Sequence, residues 1–260
     1  MIGIKRKAIQ LLYYIRKPLV WVENEIERAW RPNRIINLES VFSLFSTSDV
    51  TFLQIGANDG MTNDKLRNYI IQFGWNGILV EPVPYVFERL KRNYTGTSNL
   101  FFENCAIAER SGEMIFYALK EFDDEGKHVF YDFTDYKIDQ LGSFNRKTLL
   151  KHSYMHPDLE SLIIELPVRT TTIGELIDKY NFTDLDILLI DAEGYDDIIV
   201  KSIDFTRVMP TVIIFEHHHL KRKEYREVVV KLKQYYRLYV DGWDTVALRY
   251  DFDKLMSVTI

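Results

Sequence analysis

A chain of 260 residues with 47% apolar and 14% aromatic content holds enough material for one sizeable core, which excludes intrinsic disorder. Its 38 Asp/Glu against 33 Lys/Arg give a net charge of −5, but residues 1–34 hold eight Lys/Arg and three Glu, leaving 25 against 35 for the rest. So acidic a body excludes nucleic acid as a partner, because phosphate contacts need a basic footprint.

Two short helical patterns open the chain, over 4–17 and, after Pro18, over 19–30. In the second, Val22, Ile26 and Trp30 recur every four residues while Glu23, Glu25 and Glu27 lie off that line, an amphipathic stripe. Residues 1–45 are therefore expected to be a helical extension and 46–260 the main domain. The stripe suits docking on the protein's own core or on a second copy in a homodimer. The basic Lys5-Arg6-Lys7 cluster suits weak peripheral contact with an anionic membrane. Gln10 and Arg16 interrupt any leader-like run, and no apolar run approaches the roughly 20 residues of a membrane span. The one cysteine, Cys105, reads as a small buried hydrophobe and points to a reducing, cytoplasmic location.

From Val50 onward strands alternate with helices, the signature of a parallel sheet covered on both faces. Strands are expected at 51–55, 77–81, 100–106, 114–119, 163–170, 186–191, 211–216, 236–240 and 245–250. Helices are expected at 63–73, 84–94, 173–181, 195–202 and 221–234, the last presenting Val228, Val229 and Leu232 to the core. Residues 120–162 break this rhythm and read as an insertion, a candidate substrate lid in which His152 and His156 could meet an acceptor. Trp243 reads as core or as a stacking platform.

The run Thr51-Phe-Leu-Gln-Ile-Gly-Ala-Asn-Asp-Gly60 is a strand breaking into a turn before a helix. Gly56 and Gly60 suit positive φ and close approach of a ligand. The run Gly77-Ile-Leu-Val-Glu81 ends in an acid about 20 residues on, where a nucleotide-binding βαβ unit holds ribose hydroxyls. A loop with Asn58 and Asp59 and no Lys or Arg suits no pyrophosphate. The cations of S-adenosylmethionine suit it better.

Two further apolar runs end in ionisable groups: Asp186-Ile-Leu-Leu-Ile-Asp191-Ala-Glu193 and Thr211-Val-Ile-Ile-Phe-Glu216-His217-His218-His219. Ligands of open α/β sheets bind at that edge. Helix capping and surface solvation could explain either run alone; both together point to chemistry. Moving a methyl from a sulfonium to a hydroxyl needs in-line placement and removal of a proton. His217 or His218, with His219 beside them, could serve as base, and Asp191 or Glu193 could orient the hydroxyl or take the proton. Asp191, Glu193 and Glu216 could instead bind Mg²⁺, although their spacing lacks a complete ligand set and no metal is assigned.

Taken together, Phe52 to Gly60, Gly77-Ile-Leu-Val-Glu-Pro-Val-Pro84, Asn104-Cys-Ala-Ile107 with Ser111-Gly112, and Leu188-Leu-Ile-Asp-Ala-Glu-Gly-Tyr-Asp196 resemble the FkbM-type S-adenosylmethionine-dependent methyltransferases. The resemblance spans roughly 50–220 and implies a class I methyltransferase fold: a Rossmann-like, seven-stranded, mostly parallel α/β sheet with one antiparallel strand near its end. It implies that Gly56, Ala57, Asn58 and Gly60 cradle the donor's methionine end, that Glu81 holds its ribose and that Asn104 to Ala106 lie beside adenine; Gln54 can reach the donor's amine through water, and Asp191 is a candidate for donor binding as well as for catalysis. The acceptor it implies is a hydroxyl of a carbohydrate, glycolipid or secondary metabolite. Two departures stand out: Gln54 where many relatives carry an acid, and Leu189 where many carry a lysine. Rival readings are a nicotinamide-dependent sugar dehydrogenase or epimerase, for which Tyr136 and Tyr195 lack the lysine four residues on, and a non-catalytic adaptor.

Overall fold

The computed structural model describes residues 34–122, 141–154, 158–182 and 184–252. The helical patterns expected over 4–17 and 19–30, and His156, lie outside the described residues.

Strand β1 (Thr51–Ile55) lies inside the main sheet. It pairs in parallel with β2 (Asn76–Val80) on one side and with β8 (Ile187–Ile190) on the other. Beyond β2 lies β3 (Leu100–Glu103), and beyond β8 lies β9 (Val212–Glu216), both parallel to their neighbours. The seven-stranded sheet runs β10-β11-β9-β8-β1-β2-β3. Its β10 (Tyr236–Asp241) and β11 (Asp244–Arg249) are joined by Gly242-Trp243, with Gly242 at φ +57°. A two-residue loop joins only antiparallel strands, so β11 runs against every other member of the sheet. The seven strands and the single antiparallel member are as expected.

Both faces of this sheet are covered, which is why its strands are apolar at successive positions instead of alternating with polar residues. Leu53, Ile78, Leu188 and Ile213 face one layer, against α6 (Ile173–Tyr180), α7 (Asp196–Ser202) and α8 (Arg222–Leu232). Phe52, Leu79, Leu189 and Ile214 face the other, against α1 (Leu38–Phe42), α2 (Arg67–Phe73) and α3 (Pro84–Asn93). At roughly 1.5–3 kcal/mol for each large side chain taken from water, these two layers dominate the stability. Residues Leu38, Val41, Phe42 and Phe45 are among the buried ones, so the segment just before β1 packs with the sheet.

Three expected elements differ. The strand expected over 100–106 is two: β3 stops at Glu103, and after Asn104-Cys105 the chain re-pairs as β4 (Ala106–Ile107) in a second sheet. That sheet, β4-β7-β5-β6, joins β5 (Gly112–Leu119), β6 (Gly142–Ser143) and β7 (Ile163–Thr171). The 114–119 and 163–170 candidates therefore pair antiparallel with one another, from Gly112↔Thr170 to Leu119↔Ile163. The helix expected from 63 begins at Arg67, because Asn63 is left-handed at φ +56° and Asp64 Oδ1 accepts the Leu66 and Arg67 amides before the first turn. Within the insertion, α4 (Arg146–Lys151) and α5 (Leu159–Leu162) fold Leu149, Leu159 and Leu162 around Leu119. No helix among the described residues is long and apolar enough to cross a membrane.

Candidate active site

The carboxyl ends of β1, β2, β8 and β9 meet at one rim, where the fold leaves its polar groups. The β1 loop is bent tightly: the Gly56 and Ala57 amides both donate to the Val80 carbonyl, at 3.0 and 2.9 Å. Gly56 (φ +75°) and Gly60 (φ +62°) are left-handed as expected, but the space they free is taken by the protein itself. A Cβ at Gly56 would stand 1.8 Å from the Asp191 carbonyl oxygen, and one at Gly60 would stand 2.5 Å from Leu90 and Tyr94 side-chain atoms. Asp59 is also turned inward, its Oδ1 accepting the Met61 and Thr62 amides. Its carboxylate shapes the turn instead of facing a ligand.

Asn58, left-handed at φ +55°, presents its amide to Glu81 Oε2 at 3.1 Å, while Glu81 Oε1 accepts from Val83 N at 2.8 Å. Burial pushes the Glu81 carboxyl up to about 7, against the pull of those two amides. Glu81 thus stands fixed on the wall of a narrow pocket that also includes Gly56, Asn58, Ala106, Phe116 and Asp191. A wider cleft of about 1190 Å³ adjoins it, lined by Gln54, Ala57, Lys65, Glu216, Trp243 and Asp244 among others. Gly56, Asn58, Asp191 and Glu193 line both cavities.

Acids crowd the junction. Asp191 is pushed above the usual carboxylate range by burial and then by the charge of Glu193; Glu216 is pushed up by burial and then by Asp191. Burial works against the charge of Lys65, yet Asp244, 2.6 Å from its Nζ, together with Asp191 and Glu216 holds the ammonium above its usual range. Glu193 sits at φ +47° in the β8–α7 loop, held there by Ser143 Oγ, which donates to its carbonyl, and by buried Asp196, which accepts the Ala192 and Gly194 amides. Burial opposes ionisation of Glu193, but the nearby imidazoles of His219, His152 and His218 keep it below the usual range.

The family model described as the methyltransferase FkbM domain matches residues 54–239. The chain belongs to the FkbM methyltransferase family. Its sheet is the class I methyltransferase sheet, and each of its four motifs contributes residues to the narrow pocket: Gly56 and Asn58, Glu81, Ala106, and Asp191. Solved structures similar to this FkbM methyltransferase include a methyltransferase FkbM from Methylobacillus flagellatus KT, at 13% identity and TM-score 0.45 over 78% of this chain and 44% of that one. Others are a precorrin-6y C5,15-methyltransferase from Geobacter metallireducens GS-15 (12%, TM-score 0.38, 84% and 90% of the two chains) and a Methanococcus jannaschii fibrillarin pre-rRNA processing protein (9%, 0.39, 78% and 67%). With TM-scores below 0.5, none of the three carries weight for substrate or mechanism. No curated protein matches.

Four residues expected in the site of this FkbM methyltransferase line neither cavity: Gly60, Asn104, His217 and His218. Asn104 Nδ2 donates to the Glu81 and Pro82 carbonyls and so ties the β2–α3 turn. His217 continues the pleat of β9, its amide donating to the Trp243 carbonyl, so its ring falls on the Phe215 face, buried beside Tyr225 and bonded to Thr245. His218 stacks on Trp243 at a centroid distance of 4.6 Å. The histidine that meets the acids is His219, whose Nε2 is 3.2 Å from Glu193 Oε2 and 3.4 Å from Glu216 Oε2. His152 comes in from the turn after α4, its ring 5.7 Å from that of His219.

Asp64 and Lys65 were not expected in the site, and both line the cleft, one beside Gln54 and the other beside the acids. Asp64 Oδ1 is 3.4 Å from Gln54 Nε2, which places an acid beside Gln54. Lys65 brings a cation to the acids beside Leu189. Their only sequence signal is their place just after the glycine turn. The partner that fixes Lys65 is 179 residues away.

Proposed function

We propose that this methyltransferase takes its methyl group from S-adenosylmethionine and delivers it to a hydroxyl of a carbohydrate, glycolipid or secondary metabolite. The observation that carries the reading is Glu81, a buried carboxylate fixed by two backbone amides on a pocket wall beside Asp191. Two vicinal hydroxyls of a ribose are what such an acceptor pair takes. The remaining residues fit the donor as well. Gln54 Oε1 and Asn58 Oδ1 are buried on the cleft side without hydrogen-bond partners, and an ammonium supplies the N–H groups they lack. Cys105, Ala106 and Ile107 offer the adenine an apolar wall. The crowded acids favour a cationic ligand over a pyrophosphate.

Bound there, the donor would supply an electrophilic methyl carbon whose bond to sulfur breaks with the electron pair left on sulfur. Asp191, where pocket and cleft meet, is the residue placed to take the hydroxyl proton as the oxygen attacks. Trp243, 61% exposed at the cleft and backed by His218, offers a sugar ring a face to stack on. The preference for a hydroxyl acceptor rests on this acid-lined cleft and on the resemblance of the motifs.

Isothermal titration tests the donor. S-adenosylhomocysteine should bind and NAD should not, and Glu81→Ala should weaken binding by about 1–3 kcal/mol, the scale of lost charge-assisted hydrogen bonds. Binding of NAD in its place, or an unchanged Glu81→Ala, overturns the assignment. A labelled-donor screen of glycan and lipid-linked sugar extracts identifies the acceptor.

A further inference from the structure

His152, Glu193 and His219 come from three separate parts of the chain: the turn after α4, the β8–α7 loop and the β9–α8 loop. One ligand atom from each lies within 4.8 Å of the other two. Two of these side chains are incompletely satisfied: His152 Nε2 and Glu193 Oε2 are buried with no hydrogen-bond partner. Buried polar atoms are rarely left so, and two converging on one point mark a place where a third party completes the bonding. The 3.2 Å from His219 Nε2 to Glu193 Oε2 is the spacing of neighbouring donors on one ion, since bonds of about 2.0–2.2 Å set adjacent ligands roughly 3–3.5 Å apart. Glu193 is presented from a left-handed backbone conformation that is unfavourable for a residue with a side chain. The loop is held in that conformation by Ser143 and Asp196, neither of which is in the ligand set.

We propose that His152, Glu193 and His219 bind one divalent transition-metal ion at the edge of the cleft, which Glu193 alone of the three lines. Two imidazoles and a carboxylate suit Zn²⁺, Mn²⁺, Fe²⁺ or Co²⁺, whereas Mg²⁺ prefers oxygen ligands and water. The set that converges therefore differs from the all-oxygen set of Asp191, Glu193 and Glu216 considered from sequence. The ion neutralises part of the charge crowded at the rim, and Glu193 carries it to the junction of pocket and cleft. Its coordination positions on the cleft side can take an acceptor hydroxyl and acidify it, leaving Asp191 to remove the proton. That last role rests on the hydroxyl-transfer reading; metal binding itself does not.

The test uses the full chain, stripped with chelator and titrated with Zn²⁺, Mn²⁺, Co²⁺ and Mg²⁺ separately. One equivalent of a transition metal should bind, Co²⁺ should give visible absorption bands, and Mg²⁺ should bind at least tenfold more weakly. His152→Ala, His219→Ala and Glu193→Gln should each weaken binding by more than tenfold, and His218→Ala, outside the ligand set, should leave it unchanged. Circular dichroism and S-adenosylhomocysteine binding check that each variant is folded. No saturable binding by the folded chain, preference for Mg²⁺, or binding indifferent to all three ligand variants overturns the site. Donor binding that persists in the stripped protein keeps the methyl-donor reading standing even when the metal site falls.

Discussion

Glu81 holds its carboxyl where burial and the proposed ribose contact pull the proton in opposite directions. Burial raises it from 4.5 to about 7, so the folded protein stays protonated over a range in which the unfolded chain has already ionised. The stability this gives is fully present below pH 4.5 and is lost as pH rises through about 7. A shift of this size corresponds to roughly 3 kcal/mol. Urea unfolding of Glu81→Gln should accordingly lose roughly 2–3 kcal/mol of the wild-type pH dependence across that window; parallel curves would show the carboxyl ionised throughout. S-adenosylhomocysteine affinity of the wild type should rise as pH passes about 7, because the ionised form accepts hydroxyl hydrogen bonds more strongly, and the Gln variant should lack the rise.

Gly56 is constrained differently. Both its φ of +75° and the Asp191 carbonyl 1.8 Å from a would-be Cβ oppose any side chain, whereas Gly74, at φ +70° behind α2, has nothing within 4 Å. Gly74→Ala should cost only the left-handed strain, about 1–2 kcal/mol. Gly56→Ala should cost more, about 3–5 kcal/mol, since the loop and β8 must move apart. Equal midpoints in urea would refute the close approach.

Among the elements, α1 depends most on its surroundings. Five residues are too few to hold a helix alone, so its order comes from Asn37, which caps the Ser40 amide, and from Leu38, Val41 and Phe42 buried against the sheet. Phe42, edge-on to Tyr69 and Trp75, is 1% exposed. Phe42→Ala should destabilise the protein by about 3–5 kcal/mol in chemical unfolding, and a loss under 1 kcal/mol would show that this segment is only laid on the domain. The β10–β11 hairpin serves both the core and the cleft, with Tyr236, Val246, Ala247 and Leu248 fully buried. Its two-residue turn carries Trp243 to the cleft mouth, and β11 contributes Asp244, the acid that holds Lys65.

For the molecule as a whole, the decisive arrangement is that two strand ends bring Asp191 and Glu216 to one rim beside the glycine loop after β1. Asp191→Asn should lower turnover by about 10²–10⁴-fold, the usual contribution of a positioned proton acceptor, while S-adenosylhomocysteine affinity changes less than about tenfold. Loss of affinity with turnover intact would move Asp191 from the reaction to the donor. Much of this framework could be read from the chain. Apolar runs ending in Gly56, Glu81, Asp191 and Glu216 are local patterns, because a strand buried on both faces is apolar throughout and turns polar only where it leaves the sheet. The alternation of β9 also held an unused signal against His217 as the base, since extending the Phe215 face by one more pleat sends its ring to the core.

What the sequence by itself determined was the sheet, its glycine turn and the acids at its edge, all encoded by neighbours a few residues apart. Only the tertiary structure decided that Asn104 ties a turn, that Lys65 meets Asp244, and that His152 and His219 converge on Glu193. Those contacts join segments from 22 to 179 residues apart. They exist only after packing of both sheet faces has fixed where each loop emerges, and no local periodicity carries that information.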